Sequence, residues 1–408
     1  MLLVTGKGGV GKTSVAAATA VRAVADGARV LLSSTDPAHS LADALAVDLD
    51  DSPRAVAVPG EGAGTLLAQQ LDTQARLEAR WERVRDYLAA VLSWTGVGEL
   101  TAEELVTFPG LDELFALLDL DEQLAYGDHD VVVVDCAPTA ATLKLLAMPD
   151  ALRWYAERGN GARRRLAQAA APLTRPLGAT GSAFPLPDDA VLDTVVGVHR
   201  QLASAHAWLT DTSTTSVRLV ATPERLSVAE TSRTLTTLSL FGYGIDALVV
   251  NRILPDEIRD PYLAGWKRHQ AEQLEAARAL VAPVPVLAAP LLRDEPIGVA
   301  PLQRLGEELY GTVAATELLH DSQPATLDLD AEPPRLTLRL PEVGRDQVEL
   351  HRSGTELLVK VAGIRRTVPL PAALRHHEVA GAELADGALT VRFTDPDATV
   401  VGRAAASS

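Results

Sequence analysis

Short apolar runs alternate along the chain with longer stretches in which apolar residues recur every three to four positions. The short runs fall at residues 2–5, 29–33, 131–134, 217–221, 247–250 and 284–288. Nearly continuous Val and Leu without polar alternation is the pattern of parallel strands buried on both faces. Helical stretches lie between these runs, so the spacing predicts an α/β fold, a doubly wound and mostly parallel sheet. An Ala-rich helix is expected from about Thr13 to Asp26, with Gly27 at its C-terminal cap. Residues 66–94 also read as helical, because Leu77, Trp81, Val84, Leu88 and Val91 fall on one stripe. Helical insertions are therefore expected over about 66–125 and 150–212. Within the second, Arg163-Arg164-Arg165, several glycines and Pro172, Pro176, Pro185 and Pro187 predict a mobile loop between helices.

After residue 320 the period changes. Residues 321–334 are acidic and end in Pro333-Pro334, the composition of a linker between an N-terminal domain at 1–320 and a second unit. From 335 to 397 apolar residues alternate with polar ones: Leu336/Leu338/Leu340, Leu357/Val359/Val361 and Leu389/Val391/Phe393, with Asp386-Gly387 marking a turn. This predicts a small all-β sandwich, followed by a disordered Ala-Ser tail at 398–408. His376-His377 has no further ligand nearby in sequence and reads as a surface pair.

Composition narrows the function classes. With 37 Lys+Arg against 54 Asp+Glu, the net charge of −17 argues against nucleic acid or an anionic membrane as partner. No run of about 18 apolar residues is present, so no intrinsic membrane segment is expected. The first glycine-rich motif starts so close to Met1 that no leader is expected either. The single cysteine, Cys136, excludes intrachain disulfides and any multi-cysteine metal cage. Together these predict a cytoplasmic protein.

The chemistry is concentrated at the ends of the predicted strands. Gly6-Lys7-Gly8-Gly9-Val10-Gly11-Lys12-Thr13 follows the first strand and opens the first helix, the pattern of a phosphate-binding loop. Glycines let backbone N–H groups curl around phosphate oxygens, and the helix N-terminus adds its positive dipole end. Lys12 is expected on the β- and γ-phosphates and the Thr13 hydroxyl on Mg²⁺, with Ser14 completing the set. Lys7 is surplus to that work. The second strand ends in Ser34-Thr35-Asp36-Pro37, where Asp36 can orient an attacking water or hold Mg²⁺ through one. Four valines then lead into Asp135, an acidic strand end that supports the metal in phosphate-loop NTPases, and Pro138 starts a loop.

With these residues assembled, the chain resembles the ArsA / Get-type ATPase family, relatives of the ParA, MinD and nitrogenase iron protein group. The loop is similar to that group's deviant phosphate loop, Lys7 standing as its signature lysine. Asp36-Pro37-Ala38-His39 resembles the first switch and Asp135-Cys136-Ala137-Pro138-Thr139 the second. Further matches are Pro109-Gly110 with Glu113, Thr142-Leu143-Lys144-Leu145-Leu146 with Pro149, and Pro223-Glu224 leading to Glu230-Thr231 and Arg233. Val250-Asn251 and the stretch from Pro290 to Gly298 resemble base-binding segments. The β-sandwich resembles the α-crystallin-like domain appended to many bacterial ArsA-like proteins.

The resemblance implies a homodimer that closes around two ATP molecules with Mg²⁺, Lys7 reaching the partner's nucleotide. It implies that Asp36 positions the hydrolytic water, that Thr13, Asp36 and Asp135 hold Mg²⁺ partly through water, and that Glu224, Asn251 and Pro290 line the nucleotide pocket. Opening and closing would move or chaperone a client, a polypeptide or membrane protein. The chain departs from the family in places. One cysteine cannot form the thiolate site of arsenite pumps, Met1 and Met148 cannot form a methionine-rich groove, and Ala140-Ala141 stand where Gly-His is usual. A nucleotide-gated scaffold with negligible turnover and an anion-pump subunit lacking the cysteine site are the alternative readings. A partition protein is a third, for which the acidic chain offers no basic surface.

Overall fold

The computed structural model describes residues 1–36, 40–60, 62–72, 127–136, 189–341 and 343–394. Its first unit is one eight-stranded sheet in the order β3-β4-β2-β5-β1-β6-β7-β8. The strands are β1 (Leu2–Gly6), β2 (Arg29–Ser34), β3 (Arg54–Val56), β4 (Thr65–Gln70), β5 (Val131–Asp135), β6 (Ser216–Ala221), β7 (Ile245–Ile253) and β8 (Val286–Pro290). All pairs are parallel except β3 with β4 at one edge.

The apolar runs fold as strands because both faces can be covered. Side chains alternate across a strand, so Leu3 joins one hydrophobic cluster and Val4 the other, as do Leu31 and Leu32. One face is covered by α1 (Lys12–Ala25) and α6 (Val299–Tyr310), through Val21, Leu302 and Leu305 among others. The other face is covered by α3 (Asp189–Thr210), α4 (Arg225–Phe241) and α5 (Pro261–Val281), through Leu209, Leu235 and Val281. A short α2 (Ser40–Leu45) follows β2. The doubly wound sheet expected from the sequence is therefore present. β1 lies between β5 and β6, so the chain runs one way from β1 to β2 and later the other way to β6, β7 and β8. In open sheets a ligand binds where the winding reverses, beyond the strands' carboxyl ends.

Two expectations need correction. Residues 66–70, read as the start of a helix, belong to β4, which pairs with β2 from Arg29↔Thr65 to Ser34↔Gln70. Leu66 and Ala68 bury on one face and Leu67 packs on the other, so this six-residue run supplies the next buried strand. The stripe that suggested a helix, Leu77 to Val91, lies outside the described residues, as do the Arg163–165 loop and the tail. The acidic linker at 321–334 likewise contains a strand, β9 (Ala325–Asp328), antiparallel to β10 (Arg335–Arg339). Its polar composition reflects an exposed sheet edge, where acidic residues are tolerated, with Asp328 paired to Arg335 at 2.9 Å.

The second unit adds β11 (Val348–Ser353), β12 (Glu356–Val361), β13 (Ile364–Pro369), β14 (Glu378–Ala385) and β15 (Ala388–Thr394). Two antiparallel sheets, β14-β15-β10-β9 and β11-β12-β13, enclose the nine alternating residues picked out above. One member of that core comes from elsewhere: Leu240, near the end of α4. Thr236 of the same helix donates to Pro341 O at 2.8 Å, and the Arg366 guanidinium donates to Leu240 O.

Candidate nucleotide site

The loop between β1 and α1 is shaped by two close approaches. A side chain on Gly6 would stand 2.1 Å from Val220 O of the neighbouring β6. Gly11 has φ 92 and a side chain there would meet the Asn251 amide nitrogen at 2.4 Å. Only glycine fits either position. Gly11 is also the N-cap of α1 and makes no side-chain cap, which leaves the helix N-terminus facing the loop. Asn251, in β7, donates to Val10 O at 2.9 Å and accepts from Arg252 N at 2.9 Å. The loop is thus fastened to the sheet from below, while Lys7, Gly8 and Gly9 are exposed and Val10 is buried.

Beneath the start of α1 lies a polar cluster in a buried setting. The Thr13 hydroxyl donates to Asp135 Oδ2 at 2.7 Å and shares a hydrogen bond of 2.9 Å with the Ser40 hydroxyl. Ser34 donates to the same Asp135 oxygen at 3.3 Å, and its own hydroxyl accepts from Asp36 N at 3.2 Å. Asp135 has no solvent exposure, and its Oδ1 has no hydrogen-bond partner among the described residues. Burial pushes its carboxyl up to about 6. The Thr13 hydrogen bond and the Lys12 charge oppose this, the Asp36 charge adds to it, and the Ser34 hydrogen bond opposes it.

The two lysines point to different places. Lys12 Nζ approaches Lys7 O at 3.4 Å, whereas Lys7 Nζ pairs with Glu230 Oε2 of α4 at 3.2 Å. The other expected residues lie along the same edge of the sheet. Ser14 is in the first turn of α1, Glu224 is the N-cap of α4 just beyond β6, and Pro290 ends β8 opposite Ile253. Loop, Asp36, Asp135 and Asn251 therefore converge, Glu224 stands beside them, and Pro290 is three strands from β1. Pro37, Ala38 and His39 of the first switch and residues 137–142 of the second lie outside the described residues. The sequence reading gave no role to Ser34 and Ser40. Their signal is weak, a hydroxyl within a few residues of an acidic strand end.

Two features fit a triphosphate with a divalent cation. The glycine positions form a cradle that side chains would fill, and the Asp135 oxygen that has no partner among the described residues is an anionic donor beside the Thr13 hydroxyl. Oxygen donors of this kind suit Mg²⁺.

The family model for anion-transporting ATPases matches residues 1–311, and that for the HSP20-like domain found in ArsA matches residues 334–393. The chain is 35% identical to the uncharacterized protein SCO2128 of Streptomyces coelicolor, over 98% of this chain and 99% of the other. It is 32% identical to a Chlorobaculum tepidum protein named as an arsenical pump-driving ATPase, over 96% and 95%. It is 31% identical to ATPase GET3B of Arabidopsis thaliana, over 75% and 77%. The chain belongs to the ArsA-type, anion-transporting ATPase family, and it carries the HSP20-like domain found with that family.

Proposed function

We propose that the chain is a Mg²⁺-dependent ATPase that works as two copies closed across two ATP molecules, and that opening and closing moves or chaperones a client. The observation that carries this reading is Asp135, a carboxylate without solvent exposure that holds Thr13 through one oxygen and whose other oxygen has no partner among the described residues. An anion in that setting gains most from a cation placed beside it.

In this reading the backbone N–H groups of residues 8–14 surround the ATP phosphates, and the N-terminus of α1 adds its positive end. Lys12 neutralises the β- and γ-phosphates. Thr13, Asp135 and Asp36 would hold Mg²⁺, which neutralises charge on the phosphates and favours departure of ADP. Asp36 orients a water for attack on the γ-phosphorus and accepts its proton, so that phosphate and ADP are the products. Asn251 keeps the loop in place by its bond to Val10, and Glu224 and Pro290 bound the nucleoside end. Lys7 serves the second copy's nucleotide, as an arginine finger does in other phosphate-loop enzymes.

One cysteine in the whole chain gives no support to an arsenical held by thiolates, although a relative's name mentions arsenicals. The HSP20-like domain favours a polypeptide client instead. A single cysteine and an ATP substrate also suit work in the cytoplasm.

The test is phosphate release by the full chain with Mg²⁺ and ATP. Steady release is expected, with Lys12→Ala losing about 10²-fold or more. Release that is indifferent to Lys12→Ala would overturn the reading. Tight ATP binding without release would leave a nucleotide-gated binding module. An Asp36→Asn chain loaded with ATP is the bait for identifying the client.

A further inference from the structure

The Lys7–Glu230 ion pair ties one of the two lysines of the loop to a helix outside it. Gly6 is pressed against Val220 O of β6, and α4 begins a few residues beyond that strand. The residue after Gly6 is therefore delivered to the second turn of α4, where Glu230 receives its ammonium at 3.2 Å. Lys12 takes no part in this contact, since it bends back to Lys7 O. The loop's two cations are thus divided, one for its own phosphates and one for an acid on a neighbouring helix.

We propose that Glu230 is a positioning residue for Lys7, keeping its ammonium on its own chain until the phosphates of a second copy's ATP take it over. The inference rests on the two-copy reading above. Both side chains are about two-fifths exposed, at 43% and 41%, so the pair is a weak surface contact. That weakness suits an exchangeable hold, because a buried pair would be too costly to break. A triphosphate carries several negative charges against one on Glu230 and offers more acceptors, so the exchange runs toward the phosphates. Glu230 in this role keeps Lys7 off its own nucleotide and raises the concentration of chain needed for pairing.

The experiment has two arms, each with the full chain as wild type, Glu230→Gln and Glu230→Asp. In the first, without nucleotide, acylation of Lys7 by an N-hydroxysuccinimide ester is followed by peptide mass. Glu230→Gln is expected to be labelled faster, by up to about fivefold, the scale of an exposed ion pair. Glu230→Asp should fall between the two, and melting temperatures should agree. In the second arm, sedimentation with Mg²⁺ and the slowly hydrolysed analogue ATPγS gives the chain concentration at half-pairing. That concentration should drop in Glu230→Gln by a similar factor. Equal labelling in all three proteins overturns the proposal, because the contact is then absent. Faster labelling with unchanged pairing also overturns it, because the contact then holds nothing back. A wild-type chain that never pairs brings down the two-copy reading itself, and the labelling arm still reports on the contact.

Discussion

Asp135 stands in an environment that opposes its charge. Its folded-state pKa of about 6 lies above the ordinary value of 3.8, and burial is the largest cause. Between these values the folded chain binds more protons at this carboxyl than the unfolded chain does. Its contribution to stability is therefore fully present below about pH 4 and is lost as pH rises through about 6. At pH 7 the group is ionised and the fold bears the cost. Asp135→Asn should thus stabilise the ligand-free protein at pH 7 by about 2 kcal/mol while removing phosphate release. Urea unfolding measures the gain, which should shrink as pH falls toward 4. A variant less stable at pH 7 would mean that Thr13 and Lys12 stabilise the anion more than burial opposes it. In the wild type, the Mg²⁺ concentration needed for half-maximal phosphate release should rise as pH falls below about 6, since proton and cation compete for Asp135.

At the scale of elements, the strands beneath the site are joined by a buried ion pair. Arg218 of β6 is 1% exposed and donates to Asp246 Oδ2 of β7 at 2.9 Å, to Ala315 O at 2.8 Å and to Glu317 O at 2.9 Å. It also donates to Tyr310 of α6 at 3.1 Å, and Tyr310 shares a 2.6 Å hydrogen bond with Thr19 of α1. Arg218→Met leaves the Asp246 carboxylate buried without its cation and should cost about 3–5 kcal/mol by urea unfolding. Adding Asp246→Leu should recover part of that loss, and no recovery would mean that the carbonyl contacts dominate. This pair also marks where sequence reading stops. The phosphate loop, Asp36 and Asp135 were legible because each is a local signal, a residue type at the end of an apolar run. Arg218 with Asp246, and Asn251 with Val10, become neighbours only through strand order. β3 and β9 are short and exposed, held by pairing more than by pattern, and β4 carries too few residues to establish a period.

Across the whole molecule, the ATPase unit and the sandwich meet along the last turns of α4. Leu240 is fully buried among Leu338, Val359 and Phe393, and Arg366 of β13 donates to the Leu240 carbonyl. Arg339 adds a bond of 2.6 Å to Ala282 O at the end of α5. Leu240→Ala should cost about 2–4 kcal/mol through the cavity it leaves, and calorimetry should show one transition for both units in the wild type. Two well-separated transitions would contradict this joint core. The position of Leu240 also bears on where the chain can be divided. Exchanging the C-terminal sandwich for another would require the new one to supply a hole for Leu240, which lies well upstream in the ATPase unit. A gene truncated before the sandwich would present that leucine to water. In this chain the seam that sequence composition draws near residue 330 is therefore crossed by a shared core, and the sandwich cannot be removed without uncovering a leucine of the ATPase unit.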